Sequence, residues 1–183
     1  WRKLGRLFCG SSARCRHCAN HWSRRVAPAL AATAEAAAER AWFMTLTLDR
    51  TGLPGPCIAA SAITDRMKTL IASLRRTYGE LEYYWVMEWH RDDWPHLHVL
   101  LPCERLTAAA LVEANVGSLA QLQKITASIP RLANGRLSRR LPFTRTKKRV
   151  AEFARAAGLG HLDLRPVESS EVVDYMVKGP FAP

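Results

Sequence analysis

The sequence has no long apolar run, so nothing in its 183 residues predicts a membrane-spanning segment. Its first ten residues, WRKLGRLFCG, are basic and lack the apolar stretch of a secretory signal. We therefore expect no secretion signal and a cytoplasmic protein. The start at Trp1 also suggests that the native first residues are missing.

Acidic residues are few as well. The 16 Asp and Glu residues face 27 Lys and Arg residues, which gives a formal net charge of +11. An excess of this size favours a polyanionic partner, because the summed positive field attracts it. Nucleic acid is favoured over an acidic membrane surface, since no basic amphipathic helix is evident.

Cysteine is scarce, and three of the five residues lie between Cys9 and Cys18. This clustering favours a metal knuckle in a reducing compartment over a disulfide framework. Structural zinc takes four thiolate or imidazole ligands. The candidate ligands are Cys9, Cys15 and Cys18, with His21, which is the better placed if a helix starts near Cys18, or His17 as the fourth. The alternative is a reduced cysteine cluster without metal.

Two domains are predicted. Residues 1–40 comprise the knuckle and an alanine-rich linker helix, because the segment 27–40, APALAATAEAAAER, favours helix but has few large apolar side chains. Residues 41–183 form the main domain. Its first segment, WFMTLTLD (42–49), alternates as a half-buried strand with Thr45 and Thr47 on one face.

The most informative stretch is WVMEWHRDDWPHLHVLL, residues 85–101. His96 and His98 are two residues apart, so in a strand both imidazoles point to the same face. The preceding run is also strand-like, and folding the two as a hairpin sets Glu88 across from His96. Two imidazoles and a carboxylate with open positions suit Mg²⁺ or Mn²⁺. The competing interpretation is a surface hairpin with incidental histidines.

The remaining pattern predicts several more elements. They are an amphipathic helix over 59–78, a helix over 106–115, a short helix over 149–157, a strand over 161–167 and a final helix after Ser169 or Ser170. Residues 116–141 stay unassigned. The final helix carries Tyr175 and Lys178, which are neighbours at a spacing of three. A tyrosine beside a lysine offers a nucleophile and a cation, although a packed tyrosine beside a solvated lysine is the simpler interpretation in isolation.

Together these pieces resemble the HUH endonucleases, specifically the single-tyrosine initiators of rolling-circle replication in plasmids and single-stranded DNA viruses. FMTLTLD is similar to the family's first-motif strand, E-x7-H-L-H to its metal motif, and Y-M-V-K to its nucleophile motif Y-x-x-K. The resemblance spans residues 42–178. It implies an α+β fold with a central antiparallel sheet of four or five strands, ferredoxin-like or of the RNA-recognition-motif kind, and helices on one face.

The resemblance also implies a reaction. His96, His98 and Glu88 would hold Mn²⁺ or Mg²⁺. Tyr175 would attack a DNA phosphorus and leave a 5′-phosphotyrosyl link, with assistance from Lys178. Because a later 3′ hydroxyl can reverse that link, nicking and rejoining of single-stranded DNA follow from one site. The implied partners are an origin hairpin or nick site, and a host or fused helicase.

Contacts to DNA are expected on the polar strand face, in the hairpin connection and along the basic run near residue 147. The candidates are Thr45, Thr47, Arg91, Trp94, Arg145, Lys147, Lys148 and Arg149. Trp85 and Trp89 are further candidates to stack bases, although core packing is the simpler interpretation for them.

Two alternatives stay open. One is a single-tyrosine HUH transposase, since a cysteine knuckle occurs in some transposase relatives. The other is a non-catalytic, zinc-containing nucleic-acid-binding module. Relaxases fit less well because their tyrosine precedes the histidine pair, and two-tyrosine enzymes fit less well because no second tyrosine follows Tyr175.

Overall fold

A computed structural model describes residues 40–51, 53, 55–89, 94–133, 137, 138 and 140–167, with isolated positions 28, 32 and 36. Several predictions lie outside these residues. They concern the zinc ligands Cys9, Cys15, Cys18 and His21, the hairpin residue Arg91, and the final helix with Tyr175 and Lys178. The predicted zinc knuckle therefore finds no support in the described part of the chain.

The described residues form the α+β fold that the sequence predicts. In chain order the elements are β1 (Ala41–Leu48), α1 (Pro56–Tyr78), β2 (Tyr84–Trp89), β3 (Pro95–Pro102), α2 (Glu104–Ala114), α3 (Leu119–Ala127), α4 (Thr144–Ala156) and β4 (Leu159–Pro166). None of the described helices is long and apolar enough to cross a membrane.

The four described strands form one sheet in the order β2-β3-β1-β4, and each neighbouring pair is antiparallel. Helix α1 connects β1 to β2, which are separated by β3, and β4 returns to the free side of β1. This is the strand order of a ferredoxin-like sheet. Of the four or five strands expected, four are present in the described ranges.

The core lies between one face of the sheet and α1. Alternate residues of β1, including Met44 and Leu46, point to this face and are fully buried. From α1, apolar side chains at helical spacing pack against them, namely Ile63, Met67, Leu70, Ile71 and Leu74. Burying each such side chain contributes about 1.5–3 kcal/mol, so this layer is the main source of stability.

Two helix predictions need correction. Helix α4 begins at Thr144 rather than at residue 149, because Glu113 of α2 accepts hydrogen bonds from the backbone N–H groups of Arg145 and Thr146 at 2.6 and 2.8 Å. A carboxylate at a helix N-terminus satisfies donors that otherwise lack partners. Sequence distance conceals this cap, since Glu113 lies far upstream.

Helix α3 occupies part of the segment left unassigned. Its first turn is held by Ser118, whose hydroxyl accepts a hydrogen bond from Gln121 N–H, while the Gln121 side chain accepts one from Gly117 N–H. The pattern S-x-x-Q is a capping signal that was present in the sequence. A weak apolar pattern after it obscured the helix.

A buried polar network joins β1 to α2. The Trp42 indole N–H donates to Thr107 Oγ1 at 2.9 Å, and the Thr107 hydroxyl donates to the Arg40 carbonyl at 3.2 Å. The Trp42 ring also meets Phe143 edge to face, with 5.2 Å between centroids. Thr107 therefore satisfies an indole that is fully buried.

We expect Thr107→Val to destabilise the protein by about 1–3 kcal/mol, because valine has the same shape but leaves the indole N–H without an acceptor. Urea denaturation measures this change. Thr107→Ser is the matched control, since it keeps the hydroxyl. If the valine variant were as stable as the serine variant, the hydrogen bond would not matter to the fold.

Candidate active site on the polar face of the sheet

The face of the sheet opposite the core carries the residues with chemical function. Directly paired residues of antiparallel strands have side chains on the same face. The register therefore aligns Val86, His98, Thr45 and Asp163 in one row across the four strands. We call this side the polar face, and its functional members are Phe43, Thr45, Thr47, Glu88, His96, His98, Asp163 and Arg165.

Glu88 and the two histidines lie on neighbouring strands of the hairpin. Glu88 is paired with His96 in the register, as predicted. Its carboxylate, however, contacts the diagonal neighbour, with Oε2 at 3.0 Å from His98 Nε2. Because an ionised carboxylate only accepts hydrogen bonds, the Nε2–H group donates to it. The structure thus brings Glu88 and His98 into contact, and His96 lies beside them on the same face.

His98 is enclosed by its neighbours, and only 6% of it is exposed. Its Nδ1 lies 3.2 Å from Thr45 Oγ1, and its ring stacks on Phe43 with centroids 5.6 Å apart and planes 11° from parallel. Burial lowers the pKa of His98, and the Glu88 carboxylate acts in the opposite direction. The ring is therefore neutral at pH 7 and can offer a nitrogen lone pair.

The chemistry of this donor set fits a divalent cation. Cis ligands at about 2.1 Å from an octahedral Mg²⁺ ion lie about 3 Å apart, and His98 Nε2 and Glu88 Oε2 are 3.0 Å apart. Within the described ranges, no group of three or more His, Cys, Asp or Glu side chains converges on one point. The pair matches one edge of a metal site, and the complete set with His96 stays a prediction.

Sequence analysis missed two charged residues of β4. Asp163, opposite Thr45, accepts a hydrogen bond from Lys147 Nζ at 2.7 Å. Arg165, two residues on, extends over Phe43 with its guanidinium carbon 5.2 Å from the ring centroid. The alternating pattern HLDLRPV was the available signal, since it places both on one face.

Thr45 and Thr47, predicted to contact DNA, lie on the polar face with partners inside the protein. The Thr45 hydroxyl meets His98, and the Thr47 hydroxyl accepts a hydrogen bond from the His161 backbone N–H at 2.8 Å. Both threonines therefore position the sheet and its histidine. Whether they also touch DNA stays a prediction.

The four predicted cationic DNA contacts lie in the first turns of α4. Arg145, Lys148 and Arg149 are exposed, whereas Lys147 is half-buried in its ion pair with Asp163. The run is thus a helix face and not the solvated loop that such charge usually forms. Three of the four cations point to solvent.

The three tryptophans near the hairpin have different environments. Trp85 and Trp94 are partly buried and pack against the core, and the Arg50 guanidinium lies 4.7 Å from the centroid of the Trp94 ring. Trp89, at the end of β2, is 40% exposed. Core packing therefore accounts for Trp85, and one face of Trp94 is covered by a cation that sequence analysis did not select.

The fold and the site define a ferredoxin-like α+β domain with imidazoles, a carboxylate and cations on one sheet face. The family model for replication-associated proteins of the ORF2 type matches residues 41–178. The chain belongs to this family, and a role in the initiation of DNA replication follows from that membership. Comparison with curated proteins and with solved structures gave no match.

The predicted resemblance to replication initiators is thereby confirmed at the level of the family. The HUH type of nuclease, the metal, and the roles of Tyr175 and Lys178 stay predictions.

We expect Lys147→Met to raise the pKa of Asp163. Burial raises the pKa of this carboxyl, but the Lys147 hydrogen bond and charge, with Arg165 and His161, hold it below its usual value. A lowered folded-state pKa contributes stability that is present above the unfolded pKa and is lost as the pH falls through the folded value. The variant should lose that contribution. Carboxyl NMR titration measures the shift.

Lys148→Met is the control for this experiment, because it removes the same charge from an exposed neighbour on α4. An equal shift of the Asp163 pKa in both variants would mean that general charge, and not the ion pair, holds the carboxyl ionised.

Proposed function

We propose that this protein nicks and rejoins single-stranded DNA through a 5′-phosphotyrosyl intermediate and so initiates rolling-circle replication. The observation that carries the proposal is the contact between Glu88 and His98, with His96 on the same face, in a member of a replication-associated family. A replication protein needs no such contact between a buried imidazole and a carboxylate for binding alone. Nicking gives the pair a purpose.

His98, Glu88 and His96 are the residues that would hold Mg²⁺ or Mn²⁺. When bound, the cation would polarise the scissile phosphate and stabilise the charge that develops on it. The neutral state of the His98 imidazole supports this role, since a protonated ring has no lone pair to offer. Phe43 and Thr45 fix the plane of that ring.

Tyr175 is the proposed nucleophile. Its phenolate oxygen forms a bond to phosphorus, and the bond from phosphorus to the 3′ oxygen breaks. The phenolic proton leaves to solvent or a nearby base, and the departing 3′ oxygen takes up a proton. Lys178, one turn away in the predicted helix, favours the phenolate or neutralises the phosphate. The reverse reaction, with a 3′ hydroxyl as nucleophile, rejoins the strand.

We expect a covalent adduct when the protein is incubated with a pool of single-stranded oligonucleotides and Mn²⁺. A denaturing gel detects the adduct, because a phosphotyrosyl bond survives denaturation. Tyr175→Phe should abolish it, since phenylalanine has no oxygen to attack phosphorus. His98→Ala should abolish it as well, whereas His161→Ala, an exposed histidine of β4, should retain most of it.

An adduct that persists in Tyr175→Phe would exclude this tyrosine as nucleophile. Salt-dependent DNA binding with no cleavage, unchanged by alanine at His96 and His98, would instead identify a non-catalytic binding module. Cleavage that requires paired transposon ends would favour the transposase alternative.

We expect Thr45→Val to weaken Mn²⁺ binding about 10–100-fold, the usual effect of removing a partner that orients a metal-ligating histidine. A cation at His98 Nε2 requires the proton on Nδ1, where the Thr45 hydroxyl can accept it; without a metal the same hydroxyl donates to Nδ1. Titration calorimetry measures the affinity.

Thr47→Val is the matched control, since it makes the same change two residues along the same strand face, where the hydroxyl serves His161 instead. Equal losses of Mn²⁺ affinity in the two variants would show that Thr45 has no special role in orienting the ligand.

A further inference from the structure

Arg165 occupies an unusual position on the polar face. It lies on the edge strand β4, directly opposite Phe43 of β1, and its side chain is exposed. Its guanidinium carbon lies 5.2 Å from the centroid of the Phe43 ring. A guanidinium over an aromatic face is attracted to the ring and is held in one orientation, while its N–H groups stay available at its edges.

Phe43 links this guanidinium to the candidate metal site. Its ring contacts Arg165 on one strand and forms a near-parallel stack with His98 on another, with the two ring centroids 5.6 Å apart. The three side chains cross the sheet from β4 through β1 to β3. A fixed cation is thereby placed one ring away from His98.

The charge of Arg165 is not neutralised by its neighbours. The adjacent carboxylate on the same face, Asp163, is paired with Lys147 at 2.7 Å. Within the described part of the chain, no carboxylate lies close enough to Arg165 to form an ion pair. The positive charge of Arg165 acts on both Asp163 and His98, where it lowers the pKa of each.

We propose that Arg165 binds a phosphate of the single-stranded DNA next to the one that is cleaved, and so fixes the strand across the polar face. The inference rests on the proposed nicking function, because it orders the strand relative to Glu88 and His98. A guanidinium presents a planar fork of donors that matches phosphate oxygens. The stack on Phe43 reduces the freedom that the side chain loses on binding, and Arg165 is a positioning residue in this role.

The test is the salt dependence of single-stranded DNA binding, measured by fluorescence anisotropy with a labelled oligonucleotide and no divalent cation. Each phosphate contact contributes about 0.7 to the slope of log affinity against log salt for single strands. We expect Arg165→Gln to reduce the slope by about 0.7 and to weaken binding about fivefold at 0.1 M salt. Arg165→Lys should restore the slope, because it keeps the charge.

Arg76→Gln is the matched control. It removes the same charge from an exposed arginine on α1, on the helical side of the sheet, and should leave the slope unchanged. Thermal melting of each variant checks that the fold is intact. An unchanged slope in Arg165→Gln, or an equal reduction in Arg76→Gln, would overturn the inference.

The outcome separates the two proposals. If the wild-type protein nicks DNA but Arg165→Gln keeps the full salt slope, only the role of Arg165 fails. If the wild-type protein binds DNA without nicking while Arg165→Gln loses about 0.7 of slope, the phosphate contact holds and the nicking function fails. In the nicking assay, Arg165→Gln should raise KM more than it lowers kcat, as expected for a contact made before the chemical step.

Discussion

The antiparallel register of β2, β3 and β1 is the constraint on which the site depends. Side chains alternate between faces along a strand, so a shift of one residue would move His98 into the core and Leu97 onto the polar face. The apolar face prevents that shift, because Leu97 and Val99 are fully buried against the core. The hydrophobic layer therefore sets the chemistry on the opposite side of the same strands.

Burial then determines the state of His98. The ring lies between Phe43, Thr45 and Glu88, and its removal from water lowers its pKa. A neutral imidazole in hydrogen-bond contact with a carboxylate suits either a structural pair or a metal ligand. In a member of this replication-associated protein family, the second use connects the sheet to DNA chemistry.

Charge is distributed unevenly over the two ends of this surface. Near the edge strand β4, Lys147 is occupied by Asp163, whereas Arg165 lies over Phe43 with no ion pair among the described residues. On α4, Arg145, Lys148 and Arg149 are exposed beside that edge. A path for a phosphate backbone that runs from the hairpin histidines towards β4 would meet cations in succession, in line with the net charge of +11.

The sequence by itself determined the elements with strong periodicity. It placed β1, the long helix α1 and the hairpin, and it put Glu88 opposite His96, because strand alternation and turn position are local properties. It did not find the cap of α4 by Glu113 or the contact of Glu88 with His98. Only the tertiary structure decided these, and also the stack of Arg165, Phe43 and His98. Each depends on side chains from distant segments whose distances are set by packing of the whole sheet, which no local pattern encodes.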